Sequence, residues 1–281
     1  MRAQLVSAIA GVREWSGAAR RRGRSIACVP TMGALHAGHG ALIEAARAAA
    51  DLVVVTVFVN PLQFDRQDDY ERYARRLNAD RDFCDGRGVD LIFAPSAEEM
   101  YPEPATAFVE VPDLARHLCG AFRPGHFRGV ATVVAKLFHI VQPDIACFGE
   151  KDAQQLAIIQ RMTRDLNFGI EILPVPTVRE QDGLALSTRN QRLTPEERRA
   201  APALFRALTE GRRLIAAGER SAATVNAAVL AVLGSAPAIR VEYVEVVDAR
   251  MQPLDPIAGD VRLMAAVWLG STRLIDNLQA S

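Results

Sequence analysis

The 281-residue sequence has no excess of charge of either sign, because it contains 33 Lys and Arg residues and 33 Asp and Glu residues. A general DNA- or RNA-binding protein uses a basic excess to neutralise phosphates, so this balance argues against that class. The uncharged apolar run of residues 52–59 is too short to cross a bilayer, as are the other apolar runs, and no apolar stretch follows a basic N-terminus. We therefore expect a cytoplasmic protein that binds small molecules and neither nucleic acid nor membrane.

Cysteine and lysine are both scarce. The four cysteines lie far apart with no C-x-x-C pair, which argues against a zinc site or a disulfide scaffold and predicts buried thiols. Lys136 and Lys151 are the only lysines, and every other basic residue that counts toward the 33 is arginine. A compact ammonium on a flexible stem differs from a planar guanidinium, so these two positions are candidates for a role that arginine cannot fill.

Apolar residues make up 49% of the chain, and the pattern of its first two thirds alternates between strand and helix. We predict strands at residues 25–30, 52–59, 89–94, 145–148 and 170–178, with a further short strand at 108–111. Helices are predicted at residues 40–50, 70–84 and 129–141, and a turn at residues 149–152 is predicted to lead into a helix that runs to about residue 166. This alternation is typical of an α/β fold with a doubly wound parallel sheet, a Rossmann-like domain that we expect over residues 1–183.

The last third has a different pattern. The segment TPEE, residues 194–197, has the features of a helix start: an N-cap residue, a proline at the first helical position and acids in the first turn. It predicts a long helix over 194–217. A second helix over 221–233 precedes strands at 239–247, at 261–267 and near Arg273. Helices followed by successive strands predict a smaller C-terminal α+β domain over residues 184–281.

A glycine-rich turn with two histidines follows the first of these strands, in the sequence PTMGALHAGHG from Pro30 to Gly40. Its glycines match neither the dinucleotide-binding fingerprint nor the P-loop. Beyond the carboxyl end of a strand, a helix N-terminus is a favourable anion site. His36 and His39, three residues apart, can then donate to phosphate oxygens as charge develops on them. The alternative is a structural role.

Gln63 lies in the segment FVNPLQF, directly after the second strand of the list. Its amide offers both a donor and an acceptor, which suits a substrate carboxylate and hydroxyl. The alternative is a simple Asn60-Pro61 turn with a solvated glutamine.

Lys151 lies in the segment FGEKDAQQ, again where a strand passes through a glycine into a helix. A lysine at this position is well placed as a counter-charge to phosphate. Asp152 and Gln155 fit a capping box, which explains both residues without any ligand.

The segment LSTRN, residues 186–190, adds two hydroxyls and a guanidinium at the expected domain border. Such a loop can close over a triphosphate, or it can be a polar hinge. The loop 122–129 is a candidate lid, and Arg128, Thr132 and Lys136 share one helix face behind it. Among the acidic residues near Asp80, a carboxylate is available to Mg²⁺, although a solvated helix face explains them as well.

Five segments, in the order of the chain, resemble the pantothenate synthetase (pantoate–β-alanine ligase) family: PTMGALHAGH, FVNPLQF, PGHFRGV (residues 124–130), FGEKD and LSTRN. The resemblance is strong over residues 24–200. The resemblance implies a nucleotidylyltransferase-like domain with an HxGH signature, a C-terminal cover domain, a homodimer, and ATP with Mg²⁺. It implies that the pantoate carboxylate attacks the α-phosphorus of ATP, and that β-alanine then displaces AMP from pantoyl adenylate to give pantothenate, a precursor of coenzyme A. The chain departs from the family pattern with Thr188 for a serine, Asp65 for a glycine, and Ala74 and Arg76 for a proline and a threonine.

The resemblance also implies roles for individual residues. The catalytic residues would be His39, as proton donor, with His36, Lys151 and Arg189. Gln63 and Gln155 would hold pantoate, Gln63 would also face β-alanine, and Asp80 would lie near Mg²⁺. The residues implied to bind ATP are Met32, Gly33, Ala34, Leu35, His36, Ala37, Gly38, His39, Gly149, Glu150, Lys151, Asp152, Val178, Leu186, Ser187, Thr188 and Arg189.

Two other classes fit the same motifs. A nucleotidylyltransferase that leaves the nucleotide on its product would use the same histidine chemistry without a second, amine-dependent step. A non-catalytic nucleotide-binding module would need the turns but not Lys151 or Arg189. Product analysis separates the first class, and turnover separates the second.

Overall fold

A six-stranded parallel sheet organises the first part of the chain in the computed structural model, which describes residues 2–281. The strands lie in the order β1-β4-β3-β2-β5-β6, and each neighbouring pair is parallel. They are β1 (Gln4–Val6), β2 (Ile26–Thr31), β3 (Leu52–Val57), β4 (Leu91–Phe93), β5 (Ile145–Gly149) and β6 (Glu171–Val175). The predicted α/β fold is confirmed.

Helices connect these strands. The longer ones are α1 (Ile9–Arg21), α2 (Ala37–Ala49), α4 (Leu77–Asp85), α8 (His126–Val141) and α9 (Ala153–Asp165), and the shorter ones are α3 (Gln67–Glu71), α5 (Ala97–Met100), α6 (Pro112–Ala115) and α7 (Cys119–Phe122). One face of the sheet packs Val29 and Val55 against Ile43 of α2 and Cys84 of α4. Neighbouring residues of a strand point to opposite faces of the sheet. Helices α1 and α8 pack against each other, and α8 also contacts β2.

The strand order places a topological switch at β2. From β2 the chain continues to β3 and β4 on one side, and later returns to place β5 on the other side. In open parallel sheets, ligands bind beyond the carboxyl ends of the strands at such a point. The segments that begin at Met32, Asn60 and Glu150 follow β2, β3 and β5, so this edge of the sheet carries three of the predicted motifs.

The last part of the chain forms a three-stranded antiparallel sheet with helices α10 (Pro195–Ala200), α11 (Ala203–Ala216) and α12 (Ala222–Gly234). Its strands are β7 (Ile239–Val247), β8 (Val261–Leu269) and β9 (Thr272–Ala280). One face of the sheet, including Leu263 and Val267, packs against α11 and α12. The other face, including Met264 and Ala266, packs against Leu118 and Ala153. The predicted α+β domain is thus present.

The two compact units do not divide at residue 183. The first comprises the residues up to Pro112 with Arg123–Glu150 and Ile158–Pro176, and the second comprises Asp113–Phe122, Lys151–Ala157 and Thr177–Ser281. The segment that begins at Thr177 belongs with the antiparallel sheet because Arg179 pairs with Asp276 of β9 at 2.6 Å.

The predicted helix over 70–84 is wrong as a single helix. The chain forms α3 and α4 with a non-helical break between them. Tyr70 and Tyr73 both pack edge-on against Phe64, with ring centroids 5.3 and 5.8 Å away. These tertiary contacts outweigh the local helical preference in this region.

The predicted helix over 194–217 is likewise two helices. Thr194 is the N-cap residue of α10, as predicted, and forms a capping box with Glu197, but α10 ends at Ala200. Pro202 has no N–H to continue the helical hydrogen bonds, so α11 begins anew at Ala203 with Pro202 as its N-cap residue.

Three further elements differ from the prediction. Residues 108–111 form no strand; Val109 N–H instead donates to Thr132 Oγ1 of α8 at 3.0 Å. Strand β1 was not predicted, because its three residues offer too short a pattern. The 13-residue helix α1 was not predicted either.

The four cysteines are free and buried, as predicted. Burial raises the pKa of the Cys147 thiol to about 11 and that of Cys84 to about 12, which keeps both protonated and unreactive at neutral pH. Within residues 2–281, none of the helices combines the length and hydropathy needed to span a bilayer.

Candidate active site

The turn after β2 holds a backbone conformation that needs outside support. Gly33 and Ala34 have φ angles of +83° and +53°, in the left-handed region that a non-glycine residue rarely adopts. Asp80 of α4 accepts hydrogen bonds from Ala34 N–H at 3.0 Å and from Leu35 N–H at 2.7 Å. A Cβ atom on Gly33 would lie 2.8 Å from Asp80 Oδ2, so the glycine is also required by space.

Asp80 has a structural role besides its expected place near Mg²⁺, which stays a prediction. Its side chain is buried, with 3% exposure, and each carboxylate oxygen accepts a backbone N–H. Among the described residues, there is no group of three or more His, Cys, Asp and Glu side chains suited to hold a metal ion. The carboxylate stabilises the turn that leads to the two histidines.

Replacing Asp80 with asparagine is therefore expected to destabilise the protein. The amide can accept one of the two N–H groups but presents its own N–H to the other, and an unpaired buried donor costs about 1–3 kcal/mol. Thermal melting of the ligand-free protein measures this loss. Asp82→Asn, an exposed change on the same helix, is the matched control and should leave the melting temperature unchanged. An unchanged melting temperature for Asp80→Asn, with a raised Mg²⁺ requirement, would instead support a metal role.

His36 and His39 lie side by side at the start of α2, as predicted, with ring centroids 4.1 Å apart. His36 Nδ1 accepts a hydrogen bond from Gly38 N–H at 3.1 Å, and His39 Nδ1 accepts one from His36 N–H at 3.2 Å. The two histidines thus form a reciprocal capping box. Because both Nδ1 atoms are acceptors, the proton of each neutral ring is assigned to Nε2. Each ring therefore carries an Nε2–H donor at a helix N-terminus whose first turn contains no acid.

Gln63 ends a short 3₁₀ turn, Pro61–Gln63, just beyond β3. It is 9% exposed, so the alternative of a solvated glutamine is wrong. Its Nε2 donates to Met32 Sδ at 2.9 Å, and its Oε1 accepts from Asn60 Nδ2 at 3.2 Å. The Gln63 amide is thereby held beside the turn that follows β2.

Asn60 and Gly129, whose roles the sequence did not reveal, fix this 3₁₀ turn. Asn60 Nδ2 donates to Gly129 O at 3.1 Å, and Asn60 Oδ1 accepts from the Tyr101 hydroxyl at 2.9 Å. Burial raises the pKa of Tyr101 to about 12, so its hydroxyl remains a donor. A Cβ atom on Gly129 would lie 2.1 Å from Leu62 O, so α8 packs directly on the backbone next to Gln63.

The loop 122–129 also contacts Gln63. His126 Nδ1 lies 2.7 Å from Gln63 O, and Arg123 donates to the same carbonyl at 3.3 Å. Arg123 in turn pairs with Asp65 at 2.7 Å. The departure from the family pattern at Asp65 is thus part of an ion pair that anchors this loop to the Gln63 segment.

The predicted shared face of α8 contacts the segment before it in sequence. The Lys136 ammonium lies 5.1 Å from the centre of the Tyr101 ring, and Arg128 lies over Phe108 at 4.7 Å. Lys136 therefore contacts Tyr101, whose hydroxyl donates to Asn60. Lys136 is thus linked to Gln63 through Tyr101 and Asn60.

The segment after β5 forms a 3₁₀ turn, Glu150–Asp152, that leads directly into α9. Lys151 and Gln155 are both partly buried. Lys151 O accepts a hydrogen bond from Asn277 Nδ2 of β9 at 2.9 Å. The neighbouring Gln154 is 3% exposed and bonds to Leu114 O and His117 O at 2.8 Å each, so it fixes the start of α9.

Val178 and Leu186 are brought together, although eight positions separate them in sequence. Leu186 N–H donates to Val178 O at 2.9 Å, next to an antiparallel bridge between Arg179 and Ala185. Ser187 caps the following 3₁₀ helix, Thr188–Arg192, by accepting from Arg189 N–H at 3.2 Å. Together with Lys151 and Asp152, this hairpin and its capped turn form the second unit's share of the predicted ATP-binding residues.

The parallel sheet with its switch point, and the histidine pair at a helix N-terminus, define an α/β protein with an anion-binding type of site beyond the carboxyl ends of its strands. The family model described as pantoate-beta-alanine ligase matches residues 4–279. The chain therefore belongs to the pantoate–β-alanine ligase family. It is an ATP-dependent ligase that joins pantoate to β-alanine.

Individual relatives agree with this assignment. The chain is 56% identical over 276 residues to pantothenate synthetase of Moorella thermoacetica, with 98% of each chain covered. The crystal structure of pantothenate synthetase from Thermus thermophilus has a TM-score of 0.92 at 47% identity, covering 98% of both chains. The ligase from Francisella tularensis, complexed with beta-gamma ATP and beta-alanine, has a TM-score of 0.83 at 31% identity over 98% of this chain and 97% of that one.

Proposed function

We propose that the ligase works in two half-reactions through pantoyl adenylate. In the first, a carboxylate oxygen of pantoate attacks the α-phosphorus of ATP and pyrophosphate leaves. In the second, the amine of β-alanine attacks the acyl carbon, the bond from carbon to the bridging oxygen breaks, and AMP leaves with that oxygen. The observation that carries this proposal is the histidine pair at the start of α2, with both Nδ1 atoms engaged by backbone N–H groups.

The histidine pair supplies donors for the charge that develops on phosphate. A neutral imidazole held by its Nδ1 has a fixed ring orientation, so Nε2–H needs no reorganisation when the transition state forms. His39 acts as proton donor in this proposal, and His36 supports it. The N-terminus of α2 adds its positive dipole end.

The remaining predicted residues follow as proposed ligands. For ATP they are Met32–His39, Gly149–Asp152, Val178 and Leu186–Arg189, with Lys151 and Arg189 as counter-charges to the phosphates. Thr188 keeps the hydroxyl that the family pattern has at its position.

Gln63 and Gln155 are proposed to hold pantoate, and Gln63 also faces β-alanine. A buried amide that is fixed by its neighbours can align the attacking carboxylate, and such alignment is a large part of catalysis when no covalent enzyme intermediate is formed. The close contact of Gly129 with the backbone beside Gln63 supports this positioning role.

Mg²⁺ is proposed as part of the ATP substrate. Phosphate oxygens and water are the ligands that this ion prefers. Asp80 is proposed as the acid near the ion, as the resemblance implies, and its carboxylate also accepts two backbone N–H groups.

We further propose a homodimer in the cytoplasm, on the strength of the resemblance to the family. Light scattering during size-exclusion chromatography should give twice the mass of one chain. A single-chain mass at micromolar concentration would contradict it.

An isotope experiment tests the proposed reaction. With pantoate labelled by ¹⁸O in its carboxylate, one labelled oxygen should appear in AMP and one should remain in the amide product. Mass spectrometry of both products measures the transfer. AMP without label would contradict an acyl adenylate, and a product that retains the nucleotide would favour the alternative nucleotidylyltransferase class.

A further inference from the structure

Two adjacent residues of β9, Asp276 and Asn277, contact both ATP-binding segments of the second unit. Both are 3% exposed. Because neighbouring residues of a strand point to opposite faces, their side chains serve different partners. Asp276 pairs with Arg179, which directly follows Val178, and Asn277 bonds to Lys151.

Asn277 Nδ2 donates to Lys151 O at 2.9 Å, and Asn277 Oδ1 accepts from Arg262 at 2.5 Å. The Asn277 backbone N–H donates to Asp276 Oδ1 at 2.8 Å. The amide is therefore orientated from the oxygen side by Arg262, and its N–H group is directed at the Lys151 carbonyl.

The Asp276 side restrains the same part of the strand. Its carboxylate accepts two hydrogen bonds from the Arg179 guanidinium, at 2.6 and 2.9 Å. Such a bidentate pair has a fixed geometry. Asp276 thus ties β9 to the Val178–Leu186 hairpin, while Asn277 ties β9 to the turn that carries Lys151.

We propose that Asn277 is a positioning residue for Lys151. Its hydrogen bond holds the main chain of the 3₁₀ turn before α9. It thereby fixes the position of the Lys151 backbone, from which the side chain and its ammonium extend. This inference rests on the proposed role of Lys151 in ATP binding. Small displacements of a reacting or charge-stabilising group have large effects on rate.

The variant that tests it is Asn277→Asp. Aspartate has nearly the same shape and keeps the oxygen that accepts from Arg262, but it replaces the N–H donor facing Lys151 O with an acceptor. We expect adenylate formation in a single turnover to slow by about tenfold or more. Gln279→Glu, on the same strand and exposed, makes the same chemical change away from Lys151 and should leave the rate unchanged.

A double-mutant cycle separates positioning from a general structural effect. If Asn277 acts through Lys151, Asn277→Asp should change the residual rate of a Lys151→Met enzyme by less than about twofold. An equal slowing in both backgrounds, or a normal rate for Asn277→Asp in an otherwise unchanged enzyme, would overturn the inference.

Asn277→Ala provides a second, uncharged variant and should show the same dependence on Lys151, with melting curves recorded for every variant. Loss of the dependence in a folded Asn277→Ala enzyme would also overturn the inference. A Lys151→Met enzyme with full activity would instead contradict the proposed role of Lys151 itself, so the two failures are distinguishable.

Discussion

Replacing His39 with asparagine is expected to slow pantoyl adenylate formation by about 10²–10³-fold, because it removes a donor that acts mainly on the transition state. The asparagine oxygen can take the place of Nδ1 and accept the His36 N–H, which now lies 3.2 Å from His39 Nδ1. The capping box at α2 is thus kept while Nε2–H is lost. Single-turnover rates and thermal melting should show slow chemistry in a stable protein.

The complementary variant is His39→Ala, which removes both the Nε2–H donor and the Nδ1 acceptor of the capping box. It should slow adenylate formation as His39→Asn does and should also lose stability by about 0.5–2 kcal/mol, the usual range for a missing N-terminal cap. His139→Asn, at an exposed histidine of α8, is the control and should behave as the unchanged enzyme. A lowered melting temperature with near-normal turnover in His39→Asn would show that His39 is structural.

Replacing Lys151 with arginine should slow adenylate formation by at least about tenfold, equivalent to about 1.4 kcal/mol in the barrier, although the charge is kept. A planar guanidinium is wider than an ammonium and imposes a bidentate geometry on a phosphate. The turn that carries Lys151 leads directly into α9 and is bonded to Asn277, so the main chain has little freedom to adjust.

Lys136→Arg is the matched control, since it makes the same change at the only other lysine. The Lys136 ammonium lies over the Tyr101 ring, and a guanidinium can make that contact as well. We expect a milder effect there. Full activity of Lys151→Arg would show that the scarcity of lysine carries no information and that the residue is at most a diffuse counter-charge.

Local sequence patterns were sufficient to predict a strand or a helix start where one strong signal dominates. The predicted strand over 52–59 is rich in β-branched residues, and its observed part, Leu52–Val57, lies between β2 and β4 of the parallel sheet. The N-cap at Thr194 is an equally local signal. By contrast, the strong start signal at Thr194 masked the weaker stop signal of Pro202, which breaks the predicted long helix.

The predicted site residues are supported by contacts between distant parts of the chain, and sequence patterns do not reveal such contacts. The nearness of His36 and His39 follows from helical spacing. The role of Asp80 does not, because its partners Ala34 and Leu35 lie 46 and 45 positions away. The same holds for Gly129, whose reason for being glycine is the backbone of Leu62, reached only when α8 packs against the 3₁₀ turn.

Exchange of labelled pyrophosphate into ATP tests the central claim most directly. If pantoate is activated as an adenylate before the amine arrives, exchange should occur with pantoate and Mg²⁺ present and β-alanine absent, and it should disappear when pantoate is omitted. Exchange that requires β-alanine, or that proceeds without pantoate, would contradict the two-step account.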